Sequence, residues 1–289
     1  MWHDRRAIVA GGTAGFGLVL ARHLDAAGAK VLIVGRSADG VRQALAACAT
    51  GSESATGSGD TPLGRMRGVA ADLSRPGEGD RVAAEAVRIW GGVDDLFFCV
   101  GRSGRGAILK ATVTELRDSF DANVLSAVEI TAAVADDVAA ARGHIVYLGS
   151  LAGKLVTPFM GTYCVAKSAL AAYADAVRLE MAPRGAHVLL VSPGPIARAD
   201  DDPRAAEAAD RYATDVARAG LPPEAMRPGG NAGLKQIDPD MLAEKVLDAC
   251  RRRRSELVVP RSAGLLAGLI DWWPEWGRGL LARATARRM

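Results

Sequence analysis

Ala7-Ile8-Val9-Ala10-Gly11-Gly12-Thr13-Ala14-Gly15-Phe16-Gly17 stands near the start of the chain and governs how the rest is read. Four apolar residues without alternation read as a strand buried on both faces. Glycines at 11, 15 and 17 follow at once, and a helical pattern continues through Leu18–Ala27. A strand that turns on glycine into a helix lets the backbone approach a pyrophosphate closely. The helix N-terminus then offers unpaired N–H groups and the positive end of its dipole. A glycine-rich stretch alone is weak evidence; between strand and helix at the head of a βαβ unit it is strong. Gly11, Thr13, Gly15, Phe16 and Gly17 are the candidate phosphate-side residues.

Outward from this turn, strand and helix patterns alternate. Val31–Val34, Met66–Ala71, Asp95–Val100, His144–Leu148, His187–Val191 and Leu257–Val259 are further apolar runs. Between them, Val41–Ala49, Arg81–Trp90, Thr114–Ala141, Tyr163–Met181, Asp200–Ala219 and Met241–Cys250 carry helical patterns, and Thr50–Leu63 is rich in Gly, Ser and Thr as a surface loop is. Unbroken apolar strands separated by helices predict an α/β fold. The expectation is a single Rossmann-like, doubly wound parallel sheet of about seven strands with flanking helices.

The chain has 289 residues, 49% hydrophobic and 24% charged, with a net charge of +3. That is enough to bury a core without staples. The small basic excess lacks the aromatic-interleaved basic face of a nucleic-acid binder, so no nucleic acid is expected as partner. Cys48, Cys99, Cys164 and Cys250 form no CxxC pair, and His3, His23, His144 and His187 show no ligand spacing. Neither a disulfide framework nor a metal site is expected, and the thiols suit a reducing cytoplasm. No apolar run reaches the about 18 residues of a transmembrane helix, and the first is too short for a signal peptide. The expected location is cytoplasmic.

Cofactor choice is read after the second strand. NAD-type sites carry an acid there for the ribose 2′-hydroxyl. This chain has Gly35-Arg36-Ser37, and its first carboxylate is Asp39. A guanidinium attracts a 2′-phosphate, so Arg36 and Ser37 point to NADP(H) over NAD(H).

Tyr163-Cys164-Val165-Ala166-Lys167 places a phenol and an ammonium one helical turn apart. A nearby positive charge favours phenolate, so the Tyr163 pKa is expected to fall towards use as an acid/base. Gly149-Ser150 ends the fifth strand, Ser192-Pro193-Gly194-Pro195 ends the sixth, and Asn123 lies in the long helix before the fifth. Carboxyl ends of strands are where open α/β sheets bind ligands.

This set, with the G-x-x-x-G-x-G spacing of Gly11–Gly17, resembles the short-chain dehydrogenase/reductase (SDR) family over roughly residues 5–196. The resemblance implies a tetrad. Tyr163 would be the general acid in reduction and the base in oxidation. Ser150 would hydrogen-bond the substrate oxygen. Lys167 would bind the nicotinamide ribose and lower the Tyr163 pKa, and Asn123 would hold a water that relays protons. It also implies that Asp72 contacts the adenine, although Asp72 reads equally as a helix N-cap, and that Pro193-Gly194 pass over the nicotinamide. Leu73, Gly101 and Ile196 complete the implied cofactor contacts. The implied reaction interconverts a carbonyl and an alcohol by hydride transfer, with NADP(H) favouring reduction. The implied assembly is a homodimer or homotetramer built on the helices within Thr114–Ala141 and Tyr163–Met181. Two departures stand out. Ala10 replaces a usual Thr, and Phe98-Cys99-Val100-Gly101 replaces Asn-Asn-Ala-Gly, which keeps only the glycine and adds bulk at Phe98 and Val100 near the cofactor.

Residues 1–261 are expected to form the catalytic domain, with 196–237 as the substrate lid. The lid contains Asp200-Asp201-Asp202, Pro222-Pro223 and Pro228-Gly229-Gly230. Arg102 and Arg105 follow the fourth strand; the favoured reading is solvated or acid-paired arginines, the other a hold on an anionic substrate group. Residues 262–289 form an amphipathic extension. Leu265, Leu266, Leu269, Ile270, Trp272, Trp273, Trp276, Leu280 and Leu281 make an apolar stripe flanked by Arg278, Arg283, Arg287 and Arg288, and Pro274 breaks any single helix. Peripheral contact with a membrane, cover for the substrate cleft and packing in a dimer all remain open, and a bulky or lipid-like substrate fits the stripe. The alternatives to an enzyme are a catalytically silent NADP-binding regulator and a membrane-peripheral binding protein.

Overall fold

Seven parallel strands pair side by side: β1 (Arg6–Ala10), β2 (Lys30–Gly35), β3 (Met66–Ala70), β4 (Asp95–Phe98), β5 (His144–Leu148), β6 (His187–Pro193) and β7 (Glu256–Val259). Their order is β3-β2-β1-β4-β5-β6-β7, so the winding reverses between β1 and β4. That reversal opens a crevice at the carboxyl ends of the strands. The computed structural model describes residues 1–49, 65–198, 202, 205–226 and 235–286. The predicted loop at Thr50–Leu63, together with Asp200, Asp201, Pro228-Gly229-Gly230, Arg287 and Arg288, lies outside the described residues.

Neighbouring residues of a strand face opposite sides of the sheet, so each strand feeds two cores. Ile8, Leu96, Phe98, Ile145 and Tyr147 pack with the helices α3 (Glu78–Trp90), α5 (Ser126–Ala140) and α6 (Gly161–Met181). Val9, Ile33, Phe97, Val146 and Leu189 face α1 (Gly15–Ala26) and α8 (Pro239–Arg251). Phe97 and Phe98, both fully buried, show the alternation in one step. Each such side chain contributes about 1.5–3 kcal/mol by leaving water. The remaining helices are α2 (Ala38–Ala49), α4 (Val113–Phe120), α7 (Ala205–Ala219), α9 (Arg261–Trp272) and α10 (Pro274–Ala286).

Three expectations need correction. The single helix read over Thr114–Ala141 is two helices, α4 and α5, joined by a π turn at Asp121–Leu125 that holds Asn123. A π turn inserts one residue into a helical path that otherwise continues, a local change that the pattern over the whole stretch did not single out. The fourth strand ends at Phe98, short of Val100. Phe98 does not add bulk at the cofactor: it packs against Tyr147 at 6.3 Å between ring centroids, inside the core.

At the amino edge of the sheet, Arg5 grips the fully buried Asp95 through two bonds of 2.5 and 2.7 Å. His144 Nδ1 lies 2.9 Å from His187 Nδ1, and His187 Nε2 lies 2.7 Å from the Arg254 carbonyl oxygen. A carbonyl accepts only, so His187 carries its proton on Nε2 and its Nδ1 accepts from His144. Cys250 joins them, with the three ligand-type atoms within 4.8 Å of one another. The fold thus gathers side chains that sequence spacing leaves apart.

Candidate active site

The glycine turn forms the floor of a cleft of ≈ 430 Å³ at the carboxyl ends of the strands. Gly11 has φ +79°, and a Cβ there would lie 2.9 Å from the Val100 nitrogen. A Cβ on Gly17 would lie 2.2 Å from the Gly11 carbonyl oxygen. These two positions therefore require glycine, and the bare backbone makes the hollow that a pyrophosphate fits. Of the predicted cofactor residues, Gly11, Thr13, Gly15, Phe16, Gly17, Arg36, Asp72, Leu73 and Gly101 line this cleft. The Gly15 N–H, at the head of α1, donates to the buried carboxylate of Asp202 at 3.3 Å.

Arg36 is exposed at the end of β2. The Ser37 hydroxyl accepts from the Gly40 N–H at 3.1 Å, which caps α2. Asp72 is not the cap of the next helix. It accepts from the hydroxyl and N–H of Ser74 at 2.7 and 3.2 Å, whereas α3 begins after Gly77. The Ser74 hydroxyl bond, aided by the charges of Arg75 and Arg36, holds the Asp72 carboxyl below its ordinary range.

Lys167, Asn123 and Gly101 converge beside the cleft. A Cβ on Gly101 would lie 3.3 Å from Lys167 Nζ and 3.5 Å from Asn123 Oδ1. Asn123 is fully buried on the π turn. Its Oδ1 accepts from the Arg102 N–H at 3.2 Å, and its Nδ2 donates to the carbonyls of Arg102 and Ser119 at 3.1 and 2.9 Å. The side chain thereby staples the loop after β4 to the helix. Lys167, 2% exposed, donates to the Leu148 carbonyl at 2.9 Å. Burial lowers its pKa to about 8, and the neighbouring Cys99 thiol opposes that fall.

Tyr163 opens the same helix one turn earlier. The expected fall in its pKa is not what the structure gives. Burial raises it to about 12, while the Ser150 hydroxyl bond and the charge of Arg105 pull the other way. The Lys167 ammonium stands 5.8 Å from the ring centroid of Tyr163 and bonds to a carbonyl instead. Ser150 also accepts from the Ala152 N–H at 3.1 Å. Pro193, Gly194 and Ile196 run along the end of β6. There Gly194 donates to the Val259 carbonyl at 2.7 Å and Ile196 bridges to Ile237.

Several residues at the site escaped sequence reading. Arg198 and Arg211 line the cleft from the segment after β6, and Arg198 pairs with Asp202. Arg105 is not solvated: it is buried, with its guanidinium 4.1 Å from the ring centroid of Tyr212. Arg198 and Arg211 carried no signal beyond their place after the sixth strand, and Arg105, which the sequence did single out, had no local spacing to announce Tyr212. Behind Ser150, Leu151 and Leu155 pack against Ala263, Ala267 and Ile270 of α9, so the C-terminal extension walls the segment between Ser150 and Tyr163.

A doubly wound sheet with a glycine-floored cleft at its winding reversal, and a Tyr-Lys helix beside it, defines a dinucleotide-type α/β domain. A family model described as short chain dehydrogenase matches residues 5–207. The rat Dehydrogenase/reductase SDR family member 7B is 36% identical over 188 residues, 65% of this chain and 56% of that protein. The Xenopus tropicalis protein of the same description is 30% identical over 276 residues, 92% of this chain and 79% of that one. A variant of actinorhodin polyketide ketoreductase with NADPH shares the fold, with a TM-score of 0.72 at 24% identity over 90% of this chain and 97% of that one. The matched segment thus spans little more than half of the rat relative. The chain belongs to the short-chain dehydrogenase/reductase family, whose members are NAD(P)(H)-dependent oxidoreductases acting on alcohol and carbonyl groups.

Proposed function

We propose that the chain is an NADP(H)-dependent oxidoreductase that interconverts a carbonyl and an alcohol. The observation that carries the reading is the convergence of Lys167, Asn123 and Gly101 beside a cleft floored by Gly11–Gly17, with Ser150 within hydrogen-bonding reach of Tyr163. Bound nicotinamide cofactor supplies or accepts the hydride. Gly11, Gly15 and Gly17 seat its pyrophosphate, Arg36 and Ser37 its 2′-phosphate, and Asp72 and Leu73 its adenine. Lys167 holds the ribose hydroxyls and Pro193, Gly194 and Ile196 border the nicotinamide. Tyr163 gives its phenolic proton to the carbonyl oxygen in reduction and takes it back in oxidation. With its pKa pushed up to about 12 by burial it keeps that proton at neutral pH, as the reductive direction requires. Ser150 orients the oxygen and stabilises charge there. Asn123 fixes the loop over which solvent protons reach Lys167 and Tyr163.

A bulky or lipid-like substrate suits the apolar wall that α9 builds behind Ser150. The outer faces of α9 and α10 expose Leu265, Trp272, Trp273 and Trp276, which supports peripheral contact with a membrane. No helix among the described residues is long and apolar enough to cross one. Exposed Val113, Leu125, Val165 and Leu179 on α4 to α6 support a homodimer or homotetramer; light scattering that gave the mass of one chain would exclude it.

The test is titration with NADPH and NADH, beside Arg36→Asp and Tyr163→Phe. NADPH should bind more tightly and Arg36→Asp should reverse the preference. Tyr163→Phe should bind nucleotide as before and lose about 10²–10⁴-fold in carbonyl turnover. Equal binding of both nucleotides overturns the cofactor assignment, and an active Tyr163→Phe overturns the mechanism.

A further inference from the structure

The loop after β4 buries a cation beside the tyrosine. Arg105 is 5% exposed. Its Nε donates to the Ala225 carbonyl at 2.7 Å and its Nη1 to the Gly104 carbonyl at 3.1 Å, while its plane lies over the Tyr212 ring. The Tyr212 hydroxyl lies 2.5 Å from Ser103 Oγ on the same loop. The Arg105 N–H donates to Asp215 Oδ2 at 3.1 Å, so α7 is tied to the loop through Tyr212 and Asp215. The next residue joins the loop to the start of the Tyr163 helix: Gly106 donates to the Phe159 carbonyl at 2.9 Å and bridges to Met160.

Among the described residues, no carboxylate oxygen forms an ion pair with the Arg105 guanidinium, although the Asp215 charge lies within its field. Burying a cation without a direct ion pair is costly, and such groups cluster where charge changes during function. Among the described residues, the groups that act on Tyr163 by hydrogen bond, charge or ring contact come from four places. Ser150 comes from the end of β5, and Cys164 and Lys167 from its own helix. Arg105 comes from the loop, and Tyr212, with Arg211 and Asp215 around it, from the lid helix. The Lys167 ammonium donates one bond to the Leu148 carbonyl and stands 5.8 Å from the Tyr163 ring centroid. Of these groups, Ser150 and Arg105 favour the ionised phenol.

We propose that Arg105, held against the lid helix by Tyr212, is a positioning residue that stabilises the negative charge left on the Tyr163 oxygen when the phenol gives up its proton. In reduction the Tyr163 O–H bond breaks, the carbonyl oxygen takes the proton, and the phenolate left behind faces the guanidinium until solvent restores the proton. Because Tyr212 belongs to the lid, this support is in place only while α7 is docked on the loop. The inference rests on Tyr163 being the proton carrier.

The test reads ionisation directly. Difluorotyrosine incorporated at position 163 ionises at lower pH than tyrosine, and fluorine NMR follows its midpoint in the folded protein. In Arg105→Gln the midpoint should rise by about 1 unit or more. In Arg105→Lys, which keeps the charge, it should stay near that of the parent. In Tyr212→Leu, which leaves the arginine but removes its support, it should rise by a smaller amount. Circular dichroism confirms folding, and Tyr212→Leu carries the test if Arg105→Gln does not fold. An unmoved midpoint in Arg105→Gln, or in Tyr212→Leu when that variant carries the test, overturns the proposal. Equal rises in Arg105→Gln and Arg105→Lys also overturn it, because they would show packing at work and not charge. Turnover by Tyr163→Phe is assayed alongside: if it stays active the catalytic reading fails, whereas an inactive Tyr163→Phe with an unmoved midpoint sinks only this inference.

Discussion

A methyl group on residue 17 would stand 2.2 Å from the Gly11 carbonyl oxygen and 3.1 Å from the Cys99 side chain. Neither neighbour can retreat, because Gly11 is itself pressed against the backbone of Cys99 and Val100. Gly17→Ala is therefore expected to push the turn open, cost about 1–3 kcal/mol of stability and weaken NADPH binding at least about tenfold. Chemical denaturation and nucleotide titration measure both, and unchanged affinity would remove the turn from the cofactor site. This glycine was legible in the sequence because its constraint is local, set by a residue six positions back. Tyr163 and Lys167 were legible for the same reason, being one helical turn apart. The pKa of Tyr163 was not. Its dominant cause is burial, and its opposing causes include the charge of Arg105 from the loop after β4, which no local spacing reports. Arg105 was misread on the same ground: nothing near it in the chain announces Tyr212 from α7.

At the scale of elements, strands and their crossover helices were readable because burial on both faces erases alternation and leaves unbroken apolar runs. The π turn was not, since Asp121–Leu125 keeps a helical pattern while rotating Asn123 inward to hold Arg102 and Ser119. The C-terminal extension was half readable. Pro274 does part α9 from α10, and it stands at the first helical position, where its missing N–H costs nothing. The apolar stripe, however, is not one face. Ile270 turns inward to Leu151 and Leu155, whereas Leu265 and Trp272 are 77% and 79% exposed. Exposed tryptophans beside Arg278 and Arg283 match the border between lipid headgroups and water, where an amphipathic ring and a basic charge are both satisfied. The expected outcome is that the protein pellets with anionic vesicles more than with zwitterionic ones, and that Trp272→Ser with Trp276→Ser reduces pelleting without loss of the fold. Absence of pelleting with either vesicle would end the membrane reading and leave a protein partner for this face.

Across the whole molecule, nucleotide chemistry and acid sensitivity fall at opposite edges of one sheet. The carboxyl edge carries the cleft; the amino edge carries His144 and His187, buried and joined Nδ1 to Nδ1. Burial first, then the charges of His187, Arg5 and Arg253, push the His144 pKa from an ordinary value of 6.5 down to about 3. Burial also lowers that of His187, against the pull of its Arg254 carbonyl bond. In the unfolded chain both rings take protons near the ordinary value, while in the folded chain His144 stays neutral to about 3. Between those points the unfolded state binds more protons. The stability these histidines contribute is therefore full above about pH 6.5 and is lost as pH falls through that window, by up to about 1.4 kcal/mol per unit for each ring. Burial raises the Asp95 carboxyl above its ordinary range, so the parent alone does not separate it from the histidines, and denaturation is compared at about pH 7.5 and about pH 5.5 in the parent and in His144→Gln. The parent protein should lose stability over that interval, and His144→Gln, which cannot titrate, should lose clearly less. An identical loss in His144→Gln would mean that the amino-edge pair is not what makes the fold sensitive to acid.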